Sequence, residues 1–282
     1  MKLPFQIDLT DKTVVITGGG GVIGSVFAES LALCGANIAI LDLKKELAEG
    51  VAEKIRNMGG KARGIAADVL SRESLEQARE EVHRAFGPCH ILINGAGGNH
   101  PKGTTTKEYY HPGDEDKDLL SFFHLDAEGV SFVFDLNFLG TLLPTQVFAK
   151  DMVGEQGASV INISSMNAFS PLTKIPAYSG AKAAVSNLTQ WLAVHFSKVG
   201  IRVNAIAPGF FVTSQNQALL FDEEGKLTKR SEKILSQTPM GRFGKPEELV
   251  GTLLWLLSSE AASFVNGVVI PVDGGFSAYS GV

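Results

Sequence analysis

Along the chain, short apolar runs rich in β-branched residues alternate with longer stretches whose apolar positions recur at helical spacing. The strand-like runs occupy residues 13–17, 37–41, 62–66, 90–93, 159–163, 202–206 and 267–271, and helices are expected from Val22, Lys44 and Glu73. Strands that are apolar on both faces suit a sheet covered on both sides, because neither face has water to receive polar side chains. The alternation therefore predicts an α/β fold: one Rossmann-type domain spanning 1–282, built on a doubly wound, parallel, seven-stranded sheet. In such sheets ligands bind beyond the C-terminal ends of the strands, near the switch in strand order. The chemistry is expected in the segments that follow each strand.

Two segments depart from the alternation. Residues 98–127 hold His100, Pro101, Gly103, three threonines, Tyr109, Tyr110 and the acidic run Asp114-Glu115-Asp116, and predict a surface insertion or lid. The acidic run does not fit a calcium loop, which needs Gly sixth and Glu twelfth; Leu119 and Leu125 stand there. Residues 210–240 are expected to form a substrate loop.

Composition narrows the function. With 282 residues, 44% of them hydrophobic, the chain can bury one sizeable core. A net charge of -5 with no basic block argues against nucleic acid as a partner. Cys34 and Cys89 belong to no CxxC or His/Cys cluster, so neither a disulfide framework nor a metal site is expected. Pro4, Asp8 and Asp11 interrupt the N-terminal stretch and no long unbroken apolar run follows, so the expectation is a cytoplasmic protein with no membrane partner.

The loop Thr17-Gly18-Gly19-Gly20-Gly21-Val22-Ile23-Gly24 follows the first strand and opens the first helix. Glycines let backbone amides approach a pyrophosphate, and a helix N-terminus favours its charge. Asp42, 18 residues beyond Gly24, ends the second strand beside Leu43. A carboxylate there can accept hydrogen bonds from ribose hydroxyls and repel a 2'-phosphate, so NAD is favoured over NADP, with Lys44 and Lys45 keeping NADP open. Helix capping is the competing role for Asp42. Asp68-Val69, read as closing the third strand, could hold the adenine or cap the next helix.

Ser164-Ser165 ends the fifth strand, and Tyr178-Ser-Gly-Ala-Lys182 opens the next helix. Positions i and i+4 share a helical face, which sets the Lys182 ammonium beside the Tyr178 phenol. A nearby cation is expected to lower a phenol pKa of about 10 and so fit it for proton transfer near neutrality. Ser165 can hydrogen-bond the same substrate oxygen. A Tyr-x-x-x-Lys pair alone is common on helix surfaces, but Ser165, Tyr178 and Lys182 together have the spacing found in the short-chain dehydrogenase/reductase family, which the chain resembles from Asp11 onward. The resemblance implies that Asn137 is a fourth catalytic member holding a water, that Asn94-Gly95-Ala96-Gly97 is a turn beside the cofactor, and that Pro208-Gly209 with Phe211 and Thr213 flanks the nicotinamide. Asp273-Gly-Gly-Phe276 resembles the family's closing segment. Val22 stands in place of the family loop's middle glycine, Gly95 in place of a second Asn, and the insertion before Asn137 is longer than usual.

Within that family, residues 98–103, 138–145, 208–216 and 273–280 resemble the D-mannonate oxidoreductase (fructuronate reductase) group, which implies interconversion of D-fructuronate and D-mannonate. A sugar acid needs cationic and amide groups near the reacting carbon. Asn99, His100, Lys102, Asn167, Lys174, Gln215, Asn216 and Arg242 are expected near the mouth. Alternatives are another sugar-acid or polyol dehydrogenase such as a gluconate 5-dehydrogenase, an acyl-carrier-protein ketoreductase, which Asp42 opposes, and a dinucleotide-sensing binding protein, which has no need of Tyr178. Phe148, Trp191 and Phe196 remain as apolar surplus on two helices that family members use for assembly, so a homo-oligomer, a tetramer or a dimer, is expected.

Overall fold

The computed structural model describes residues 7–115, 118–213 and 217–281. Seven strands form one sheet: β1 (Thr13–Thr17), β2 (Asn37–Asp42), β3 (Lys61–Ala66), β4 (Ile91–Asn94), β5 (Ser159–Ile163), β6 (Arg202–Pro208) and β7 (Val269–Val272). All neighbours are parallel, in the order β3-β2-β1-β4-β5-β6-β7. Chain direction across the sheet reverses between β1 and β4, which opens the crevice at their C-terminal ends where such sheets take ligands.

The helices are α1 (Val22–Leu33), α2 (Lys45–Asn57), α3 (Arg72–Phe86), α4 (Ala127–Phe134), α5 (Gly140–Met152), α6 (Pro176–His195), α7 (Gln217–Leu220), α8 (Lys229–Ser236) and α9 (Val250–Leu257). Alternate strand residues face opposite ways, so Val14 and Ile16 pack under α1, α2 and α9, while Val15 packs under α3, α5 and α6. Phe27 on α1 and Phe148 on α5 are the largest fully buried side chains among the described residues, one in each layer. Removing each from water stabilises the fold by about 1.5–3 kcal/mol. The expectation that Phe148 is left over for assembly is thereby corrected: α5 lies so close to the sheet that its ring fills the core. Trp191 and Val194 on α6 do stay exposed, at 58% and 76%.

Residues 127–152 run as one continuous helix, apolar enough by length and composition to cross a membrane, with half of its most apolar window buried inside the fold. That burial is what a core helix of an α/β sandwich requires. Residues 98–126 hold no long element among those described, only 3-10 turns at Pro101–Gly103 and Phe122–His124. Strand β3 ends at Ala66, so Asp68 and Val69 lie beyond it, not at its close.

Candidate active site

The loop from Thr17 to Val22 is folded by close backbone packing. Gly18 adopts φ +62°, and a Cβ there would stand 2.9 Å from the Ala96 Cα, so the left-handed turn lets the loop touch the segment after β4. Thr17 Oγ1 holds that segment by accepting from Gly95 N at 3.2 Å and Ala96 N at 3.3 Å. Helix α1 begins at an N-cap glycine, Gly21, with no side-chain cap and no acidic residue in its first turn, so the partial positive charge of its first-turn amides is not offset by the helix's own side chains. Asp42, half-buried at the end of β2, accepts from Gly20 N and Lys44 N, both at 3.1 Å, one on each carboxylate oxygen. It thus ties the glycine loop to the start of α2. Each oxygen keeps a lone pair for a further donor.

Across the crevice, β5 delivers Ser165 in extended conformation, and its Oγ accepts from Asn167 N at 3.3 Å. Pro176 at the first position of α6 starts the helix that presents Tyr178 and Lys182 one turn apart. Lys182 is 4% exposed; its Nζ donates to Ile163 O at 2.8 Å and lies 5.7 Å from the Tyr178 ring centroid. Burial pushes this ammonium down to about 8. Burial also pushes the Tyr178 phenol above its ordinary value, with the Ser165 hydroxyl acting in the opposite sense. The expected net lowering of the phenol is corrected here: desolvation carries it upward, while the Lys182 ammonium donates to a main-chain carbonyl.

Asn137 sits in a π-helical turn, Asp135–Leu139, between α4 and α5. Such turns insert one extra residue and recur at functional sites. Its Nδ2 donates to Val133 O and Gly98 O, both at 2.7 Å, and its Oδ1 accepts from Gly98 N at 3.3 Å. Gly97 explains why these groups meet: a Cβ there would lie 2.7 Å from Asn137 Oδ1 and 3.1 Å from Lys182 Nζ. Only a residue without a side chain admits both. Four polar side chains from α6, β5 and the π turn therefore converge beside the glycine loop.

A family model described as enoyl-(acyl carrier protein) reductase matches residues 20–277. An uncharacterised oxidoreductase of Haemophilus influenzae is 61% identical over 282 residues, covering 100% of this chain and 99% of its own. An uncharacterised oxidoreductase of Bacillus subtilis, UxuB, is 51% identical over 280 residues, covering 99% of this chain and 100% of its own. The chain belongs to the short-chain dehydrogenase/reductase family. A crystal structure of a provisionally assigned D-mannonate oxidoreductase from Haemophilus influenza, with bound NAD, superposes at a TM-score of 0.94 with 62% identity, covering 98% of each chain.

The departures from the short-chain dehydrogenase/reductase pattern have local causes. Val22 is the first residue of α1 and is half-exposed beside Ile23, so the loop turns at Gly18 and Gly21 without a glycine at position 22. A Cβ at Gly95 would stand 2.7 Å from Thr17 O, so the Thr17 clamp requires glycine where the family has Asn. Asn94 points into the interior: its Nδ2 donates to Thr145 Oγ1 at 2.9 Å and Asn162 Oδ1 at 2.8 Å, while its buried Oδ1 has no partner among the described residues. Phe211 is 5% exposed within the core, and Gly209 packs against Asp273, so the loop after Pro208 offers mainly backbone and Thr213. Asp68 is exposed and accepts from Leu70 N at 2.9 Å, while the cap of α3 is Ser71. Val69 is buried against Gly140, and Leu43 is exposed at 72%.

Of the residues expected at the mouth, Lys102 is paired with Asp126 at 3.1 Å and Arg242 is bidentate to Glu248 at 2.7 and 2.8 Å, so both charges are already balanced. Asn99 donates to Thr104 Oγ1, and His100 Nδ1 accepts from Lys102 N with its ring edge-on to Phe132. Asn167 is buried, and no described residue satisfies its Oδ1. Gln215 and Asn216 lie outside the described residues. Sequence reasoning assigned no role to Thr17, Thr145, Asn162 or Thr189; their signal, polar residues inside apolar strands and helices, is visible only once the partners are adjacent.

Proposed function

We propose that this oxidoreductase uses NAD to interconvert D-fructuronate and D-mannonate. The observation that carries the chemistry is the convergence of Ser165, Tyr178, Lys182 and Asn137 beside the glycine loop. The residues fit a dinucleotide: an uncapped α1 N-terminus suits a pyrophosphate, and Asp42 retains acceptor capacity where a ribose hydroxyl would lie. When bound, the nicotinamide supplies or accepts the hydride.

The chain's own residues handle the proton. Ser165 donates to the substrate oxygen and fixes its position. Tyr178, protonated at neutral pH as an ordinary phenol is, gives its proton to the oxygen as that atom becomes an alkoxide. Lys182, charged below about 8, steadies the phenolate left behind. Asn137 fixes the Gly97–Gly98 backbone against which these groups pack. In the reverse direction Tyr178 must lose its proton first, so alcohol oxidation rises with pH more steeply than ketone reduction.

The substrate reading is supported by the name of the NAD-bound relative and by the polar insertion over the mouth. Exposed Trp191 and Val194 on α6 further support assembly into dimers or tetramers. The experiment is Tyr178→Phe with NADH and D-fructuronate. Turnover is expected to fall by roughly 10²–10⁴-fold with NADH binding retained. Wild-type turnover in that variant sinks the assignment, and a substrate panel in which 5-ketogluconate outruns fructuronate replaces the substrate by its rival.

A further inference from the structure

We infer that Lys174 supplies the positive charge that recognises the substrate's carboxylate, an inference that rests on the keto-acid reading above. Four segments bring cations to the mouth, and most are already neutralised by carboxylates. Lys102 is paired with Asp126, Lys107 with Asp114, Lys226 with Glu224, Lys233 with Glu108 and Arg242 with Glu248. Among the described residues of these segments, Lys174, Lys229, Arg230 and the exposed Lys245 carry no ion pair. Lys229 and Arg230 are exposed on α8, whereas Lys174 is half-buried in the loop between Ser165 and Tyr178.

Its position is unusual in two further ways. Three residues separate it from Tyr178, so four Cα-to-Cα steps keep its Cα within roughly 14 Å of that of Tyr178. Its backbone adopts φ 72°, a left-handed conformation that a residue with a Cβ takes only where the surroundings impose it, and Thr105 N holds it by donating to Lys174 O at 2.8 Å. The insertion therefore clamps this lysine in place. Glu108, a carboxylate that the charges of Lys174 and Arg230 reach, is already paired with Lys233. Lys174 and two cations of α8 thus share one carboxylate, which leaves Lys174 without a partner of its own and able to take an anion.

The test compares Lys174→Met, Lys174→Arg and Lys174→Gly on D-fructuronate and on neutral D-fructose, with NADH. The Gly variant relaxes the backbone at φ 72° while removing the charge, so a folding defect of the Met variant cannot imitate the result. Both uncharged variants should raise KM for fructuronate roughly 10- to 100-fold, the loss of one charge-assisted hydrogen bond, with kcat nearly unchanged. Fructose kinetics should not move, and Lys174→Arg should retain most of the fructuronate affinity. An unchanged KM for fructuronate, or an equal loss on fructose, overturns the role of Lys174 alone. Wild-type enzyme that neither reduces fructuronate nor binds D-mannonate in the presence of NAD overturns the function reading, and this inference falls with it.

Discussion

Replacing Lys182 by Met should make the protein inactive and more stable. The ammonium is 4% exposed, and the drop in its pKa from 10.5 to about 8 corresponds to roughly 3 kcal/mol of penalty for keeping it charged at pH 7. Met fills a similar volume without the charge. The variant loses the bond to Ile163 O, which offsets about 1–2 kcal/mol of that relief. The net expectation is a gain of roughly 1–2 kcal/mol in NAD-free protein, a rise of a few degrees in Tm.

The pH dependence gives the sharper check. A lysine whose folded pKa lies below its unfolded one destabilises at low pH, and that loss disappears as pH rises from about 8 toward 10.5, where the unfolded chain holds a proton that the folded protein has shed. Wild-type stability should climb over that interval while Lys182→Met stays flat. Urea denaturation of both proteins at pH 7 and pH 9.5 measures the gap. A variant less stable than wild type at pH 7, or an advantage that does not shrink at pH 9.5, refutes the reasoning.

Two further substitutions probe the same site. Asp42→Ala removes the acceptor shared by Gly20 N and Lys44 N; KM for NAD should rise about tenfold and discrimination against NADP should weaken, so steady-state kinetics with NAD still strongly preferred would refute it. Gly97→Ala forces a methyl to within 2.7 Å of Asn137 Oδ1 and 3.1 Å of Lys182 Nζ; kcat should fall at least roughly tenfold, given the sensitivity of catalysis to ångström-scale displacement, while NAD binding persists, and an unaltered kcat would refute the close approach.

The sheet was legible because its strands are apolar on both faces, a pattern that few other architectures produce. Strand ends were less so: β4 begins at Ile91, and His90 just before it, although its main chain bonds to Thr13 O and Ser159 N, also accepts from Thr13 N on its ring. Spacing and family resemblance singled out the four residues now proposed to act in catalysis, yet the electrostatics came out opposite for Tyr178, because burial is a property of the assembled fold. The pairing of the charges expected at the mouth was hidden for the same reason. Lys102 and Arg242 looked free in sequence, and their partners Asp126 and Glu248 face them only after folding.

What holds the site ready is a line of buried polar side chains behind it. Asn94 on β4 donates to Asn162 on β5 and Thr145 on α5; Asn162 donates to Thr189 on α6, and Thr141 donates back to the Asn137 carbonyl. Each of these groups is almost without solvent, so each would cost roughly 1–3 kcal/mol if left unpaired. Paired, they cross-link two strands to the two helices that carry Asn137, Tyr178 and Lys182. An apolar core of equal volume would allow α5 and α6 to slide by fractions of an ångström, whereas directional bonds do not. The π turn then adds the one residue needed to bring Asn137 opposite Gly98, and the hydride chemistry inherits an array whose geometry is set before any ligand arrives.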